Sequence, residues 1–176
     1  MNFIFDLDDT LVKRDTAIIL PWRIDKLETI HKNKNRIYIA TNCSGPAWRK
    51  ILTEDGNDDY REYPTMGEVV FKFEDIASML PIDSVYAALI PGDGEVAERI
   101  RNRQLSPDLI INLWPTKIFV SFRLDWRKPE GGMLEFICDS NGLKKSDCLF
   151  VGDLQTDEQA ARNAGIAFQR TDEFFV

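Results

Sequence analysis

Short apolar runs and longer helical stripes alternate along this chain. Phe3-Ile-Phe5 opens it with strand character, and Arg36–Ala40, Ser84–Ile90, Lys117–Phe122 and the run from Cys148 to Val151 repeat that character at wide intervals. Between them, Leu20, Ile24, Leu27 and Ile30 fall on one helical face, which predicts a helix from Pro21 to about Lys34 packed on a sheet. Gly45-Pro46 starts a second helix to about Leu52, with the proline in its first turn as helix geometry favours. Thr65 caps a third helix to about Leu80, and Gly92-Asp-Gly94 opens a fourth through about Gln104. Leu11–Leu20 reads as a loop, and the polar, acidic stretch Glu54–Tyr63 as a surface loop. No internal repeat or low-complexity tract interrupts this order.

Composition narrows the class. The 176 residues, 44% hydrophobic and 29% charged, are one domain's worth of ordinary globular chain with a sizeable core. No segment approaches the apolar length needed to span a bilayer. The N-terminus enters a strand directly, so a signal peptide is not expected. Three cysteines without motif spacing fit a reducing compartment, and the expected location is cytoplasmic. Cys43 is expected as a small buried hydrophobe near the site, and His31 as exposed. A net charge of −7 disfavours nonspecific binding to polyanions.

Chemistry enters where the strands end. Phe3-Ile-Phe-Asp-Leu-Asp-Asp-Thr-Leu-Val12 closes an apolar strand with Asp6 and Asp8, spaced by one residue. Two such carboxylates and a main-chain carbonyl make the oxygen-rich, incomplete cage that a hard cation such as Mg²⁺ prefers. A carboxylate beside that cation can also attack phosphorus. Arg36-Ile-Tyr-Ile-Ala-Thr-Asn42 ends a second strand in Thr41 and Asn42. Arg127-Lys-Pro-Glu-Gly-Gly-Met133 sets Lys128 before a proline turn and an apolar helix. Cys148-Leu-Phe-Val-Gly-Asp-Leu-Gln-Thr-Asp157 ends another strand in Asp153, with Asp157 four residues on. In a parallel α/β sheet the carboxyl ends of the strands share one edge, where ligands bind. Asp6, Asp8, Thr41, Lys128, Asp153 and Asp157 are therefore expected at one place.

In this order the four segments resemble the four motifs of the haloacid dehalogenase (HAD) superfamily of phosphohydrolases. Thr41-Asn-Cys-Ser-Gly45, Arg127-Lys-Pro-Glu-Gly-Gly-Met133 and Val151-Gly-Asp153 look like the subgroup of histidinol-phosphate phosphatases, heptose-bisphosphate phosphatases and polynucleotide 3′-phosphatases. The resemblance implies an α/β fold: a Rossmann-like three-layer α/β/α sandwich over residues 1–176, with a central, mostly parallel sheet and a small or absent cap. Either Ser84–Ile90 or Lys117–Phe122 is then the third core strand; the former is preferred, leaving 91–125 as a small insertion or cap-like segment. The chain departs from the subgroup at Cys43, where Gln is common, and at Asp9, where Gly is common. It also lacks the Cys/His zinc loop that several sugar-phosphate members carry ahead of Arg-Lys-Pro, which weighs against zinc and the heptose-bisphosphate reading.

The implied activity is Mg²⁺-dependent hydrolysis of a phosphomonoester through an aspartyl-phosphate. Asp6 is the nucleophile and Asp8 the general acid, then base. Thr41 and nearby amides donate to the transferring oxygens, while Lys128 neutralises charge. Asp153, Asp6 and the Asp8 carbonyl hold the metal, and Asp157 orients metal waters or Lys128. Arg127 is the expected substrate contact by resemblance, and Asn42 either touches substrate or ties down its turn. The expected substrate is a small phosphorylated metabolite, with a nucleic-acid 3′ end as the alternative and a receiver-like phosphoacceptor as the third reading. A receiver carries its phosphorylated Asp on the third strand, and neither Ser84–Ile90 nor Lys117–Phe122 ends in one. Between Pro91 and Lys128 seven basic residues stand against five acidic ones, and Arg99 and Arg103 lie one helical turn apart. They read as a solvated helix face or as a phosphate-facing patch. Trp114, Phe122 and Trp126 read as base-stacking rings or as core.

Overall fold

A computed structural model describes residues 1–14, 16–102, 110–113 and 117–176. In chain order its elements are β1 (Asn2–Phe5), α1 (Pro21–Lys32), β2 (Arg36–Asn42), α2 (Gly45–Glu54), α3 (Met66–Met79), β3 (Ser84–Ala88), α4 (Gly94–Asn102), β4 (Ile110–Leu113), β5 (Ile118–Ser121), α5 (Gly132–Ser140), β6 (Cys148–Gly152), α6 (Gln155–Ala164), β7 (Ala167–Arg170) and α7 (Thr171–Phe174). The strands form one sheet in the order β4-β5-β3-β2-β1-β6-β7, parallel except for β4, which runs antiparallel to β5 at the edge.

Burial of both faces explains why the central strands are almost wholly apolar. Along β2, Ile37 and Ile39 point into a cluster with Leu27 of α1 and Val69, Phe73 and Ile76 of α3. The alternate residues Tyr38 and Ala40 point into a second cluster with Met133 and Ile137 of α5 and Ala160 of α6. The result is the expected three-layer α/β/α arrangement. The Thr65 cap is present in full: its hydroxyl accepts from the Glu68 N–H, while the Glu68 carboxylate accepts from the Thr65 N–H. The acidic stretch expected as loop holds a 3-10 turn at Asp58–Glu62, with no residue of that turn buried.

The preferred third strand is the one the sheet places beside β2, although the other candidate joins the same sheet. β3 lies directly beside β2, and β5 follows it in parallel, so both belong to the sheet. The described residues of 91–125 extend that sheet, and α4 packs through Ala97 and Ile100 against Ala47 and Ile51 of α2. Arg103, Gln104 and Trp114 lie outside the described residues. Trp126 is fully buried, its ring 5.2 Å from that of Phe136 and 6.3 Å from that of Tyr86, and Phe122 packs against the core; both therefore serve packing rather than base stacking.

Candidate active site

The parallel register places the carboxyl ends of β1, β2 and β6 side by side, with Phe5 opposite both Ile39 and Val151. Asp6 follows β1 directly and its N–H donates to the Val151 carbonyl at 2.9 Å, so the sheet ladder itself fixes the first carboxylate. Lys128 arrives from the opposite side of the sequence and is buried. Its ammonium donates to Asp6 Oδ1 and lies 2.6 Å from Asp157 Oδ1. The second Asp157 oxygen accepts from the Leu154 N–H at 3.0 Å, which ties α6 to the end of β6. Gly152 makes this approach possible, because a Cβ there would sit 2.6 Å from the Asp157 carboxylate. Gly132 does the same at the start of α5, where a Cβ would lie 2.6 Å from Asp125 Oδ2. The glycines of Val-Gly-Asp and Glu-Gly-Gly thus serve close packing at the site.

Asn42 belongs to this scaffold. Its Oδ1 accepts from the Lys128 N–H at 3.0 Å and its Nδ2 donates to the Lys128 carbonyl at 3.2 Å. Of the two roles expected for it, tying down the turn is the one this geometry carries. Thr41 is buried at the end of β2, and its hydroxyl makes no hydrogen bond among the described residues. Arg127 is half-buried against Gly92 and donates to the Ile90 carbonyl at 3.0 Å, with no carboxylate partner among the described residues. Burial lowers its pKa.

Three carboxylates converge here: one oxygen each from Asp6, Asp153 and Asp157 lie within 4.8 Å of one another. Burial pushes Asp6 up to about 6; the Lys128 ammonium pulls it down and the Asp157 charge pushes it further up. Asp153 is raised as well, by burial and then by Asp157. Burial opposes the charge of Lys128, but the two carboxylates outweigh it and raise its pKa. One buried ammonium does not balance three such carboxylates; Arg14 lies 3.9 Å from Asp153, and Arg23 also feels that carboxylate's charge. This excess of hard oxygen charge fits a divalent cation. The Asp8 carboxylate is not in this cluster among the described residues.

Several contacts lay beyond the sequence reading. Lys72 of α3 donates to Asp8 Oδ1 at 3.0 Å. Its signal was faint: a lysine one turn from both Val69 and Ile76 on the edge of a buried stripe. Arg14 donates to Asp9 through its N–H at 3.0 Å and Nε at 2.7 Å. Asp9 itself has φ 59°, the left-handed region, which accounts for glycine being common at this position and for aspartate being tolerated. Cys43 is half-buried; it packs against the core and also lines the cleft described next.

Asp8 and Asn42 lie at one side of a cleft of about 1120 Å³. Its walls come from the loop after β2, from α2, from the turn at 60–64 and from α3. Arg99 and Arg123, two of the basic residues singled out between 91 and 128, do not line it. Arg99 pairs with Asp55 at 2.6 Å, and Arg123 with both oxygens of Asp125, at 2.9 Å through Nε. The solvated-face reading therefore holds for Arg99.

The comparisons with known proteins agree with this geometry. Residues 125–169, which carry Lys128, Asp153 and Asp157, match the HAD-hydrolase-like family model. No curated protein sequence matches the chain. Among solved structures, a D,D-heptose 1,7-bisphosphate phosphatase from B. bronchiseptica, in complex with magnesium and phosphate, aligns over 95% of this chain and 78% of its own, with TM-score 0.60 and 20% identity. A protein from Mesorhizobium loti, provisionally assigned as a HAD-like phosphatase, aligns over 94% and 69% with TM-score 0.52 and 21% identity. The fold is that of the HAD-like hydrolases, and the superfamily resemblance read from the four motifs is borne out.

Proposed function

We propose that this protein is a Mg²⁺-dependent phosphomonoester hydrolase that works through an aspartyl-phosphate on a small phosphorylated metabolite. The observation that carries the reading is the buried Lys128 ammonium held between Asp6 and Asp157, beside the Asp153 carboxylate, at the carboxyl edge of a parallel sheet. A carboxylate can attack an anionic phosphoryl group only where local positive charge offsets the repulsion. Asp6, Asp153 and the Asp8 carbonyl would hold the cation, which supplies further charge neutralisation when bound. That the heptose-bisphosphate phosphatase of the same fold was solved with magnesium and phosphate supports this choice of metal.

In this reading the Asp6 carboxylate forms the new bond to phosphorus while the ester oxygen leaves with a proton from Asp8. Asp8 then takes a proton from the water that cleaves the acyl phosphate. Thr41, whose hydroxyl has no competing partner among the described residues, donates to a transferring oxygen. Asp157 positions Lys128, and Asn42 positions the main chain that carries it. Arg127 is the proposed contact to the rest of the substrate. The odd cysteine count favours a cytoplasmic setting.

A panel of phosphate esters assayed with Mg²⁺ tests the proposal. Phosphate release that vanishes with chelator, returns with Mg²⁺ and is inhibited by Ca²⁺, whose larger and looser coordination spoils in-line geometry, is the expected result. Absence of release from every ester, with Mg²⁺ present and the protein folded, would defeat it.

A further inference from the structure

The cleft beside Asp8 is far larger than a phosphoryl group requires. At about 1120 Å³ it exceeds the roughly 300–1,000 Å³ of ordinary small-ligand sites. Its wall carries an aromatic platform. The rings of Trp48 and Tyr63 stack with centroids 6.2 Å apart and planes 26° from parallel. Arg49 fixes that platform, because its guanidinium donates to the carbonyls of Tyr60 at 3.3 Å and Tyr63 at 2.7 Å and so binds the turn to α2. On α3, Phe71 lines the same cleft with 67% of its surface exposed. Half-buried rings such as Trp48 and Tyr63, held rigid at the wall of a cleft, are what a flat apolar ligand stacks on.

Charge decides how far that ligand extends. Three cations line the cleft (Arg49, Arg61 and Lys72) against four carboxylates (Asp8, Glu62, Glu68 and Asp75). Arg49 is already engaged with carbonyls, and Lys72 with Asp8. No positive excess remains to track a phosphate backbone. A leaving group that is planar, aromatic and uncharged fits; a polynucleotide does not.

We propose, resting on the phosphatase reading above, that this cleft is the leaving-group site and that the substrate class is nucleoside monophosphates, with the base stacked on the Trp48–Tyr63 wall. The ester oxygen then lies toward Asp8 and the base toward α2. Hydrolysis breaks the bond between phosphorus and the sugar oxygen, which leaves with the proton from Asp8 as the nucleoside.

The test compares adenosine 5′-monophosphate with ribose 5-phosphate, the same ester without the base, in wild type, Trp48→Leu and Tyr63→Leu. Wild type is expected to prefer the nucleotide in kcat/KM by about fivefold or more, and each variant to lose most of that preference, the size that stacking supports. Circular dichroism verifies folding, and the second variant stands if the first does not fold. Equal kcat/KM for the two esters in wild type, or a preference intact in the folded variants, overturns the proposal. Adenosine binding, read by quenching of tryptophan fluorescence, separates the two layers. Quenching in wild type that disappears in Tyr63→Leu, which keeps the Trp48 reporter, without hydrolysis of any ester, would retain the stacking site and remove the phosphatase. Hydrolysis of ribose 5-phosphate without adenosine quenching would do the reverse.

Discussion

The centre around Lys128 and the arginine-bearing stretch from α4 to Arg123 use the same kinds of charge to different ends. At the centre, Lys128, Asp6 and Asp157 are removed from water, so each depends on the others. In the stretch, Arg99 and Asp55 form a 2.6 Å pair whose side chains remain 35% and 42% exposed. A buried ion pair is costly to break because the survivor is left without solvent. A surface pair loses little, because water replaces the partner. Counting basic residues along the sequence does not tell these apart; the partner and the burial do.

Lys128→Met should break the first region hardest. It leaves two buried carboxylates without their cation, and should cost about 3–5 kcal/mol in chemical denaturation together with nearly all turnover. A loss below about 1 kcal/mol would mean the centre behaves like a surface pair. Asn42→Ala comes next. It strips both hydrogen bonds from the Lys128 main chain and should cost about 1–3 kcal/mol, with kcat falling more than KM rises. A rise in KM alone would return Asn42 to substrate contact. Asp9→Gly sets relief at φ 59° against loss of the Arg14 contacts, and the net shift in stability should stay within about 1 kcal/mol. Arg99→Ala should move least, by at most about 1 kcal/mol, with kcat/KM for any ester unchanged. A clear loss of activity in that variant would put Arg99 back in a phosphate-facing patch.

Much of the architecture was legible because strand ends and helix stripes carry their own signals. Asp6, Thr41 and Asp153 each close or follow an apolar run, and β1, β2 and β6 bring those ends together. The Thr65 helix was readable from its capping threonine, and the structure adds Glu68 as the other half of the cap. What stayed hidden depends on distance through space. The Asp8–Lys72 contact joins residues on different elements, and only the packing of α3 against the sheet sets it. β5 was readable as a strand, but its place beside β3 depends on the crossover through α4 and β4, which short apolar runs do not specify. The pairing of Arg99 with Asp55 was obscured in the same way, since α4 meets α2 only after folding. Asp9 was readable as a departure from glycine, yet its reason, a left-handed backbone, is conformational.

The central claim is that Asp6 is a covalent nucleophile held ready by Lys128. Rapid acid quench of the enzyme turning over a phosphate ester with Mg²⁺, followed by peptide mapping, tests it most directly. The account predicts a hydroxylamine-sensitive phosphate on the peptide containing Asp6, accumulating in Asp8→Asn if the second step slows more than the first, and absent in Asp6→Asn along with turnover. Turnover by Asp6→Asn within about tenfold of wild type, a loss of only about 1.4 kcal/mol in transition-state stabilisation, would contradict it.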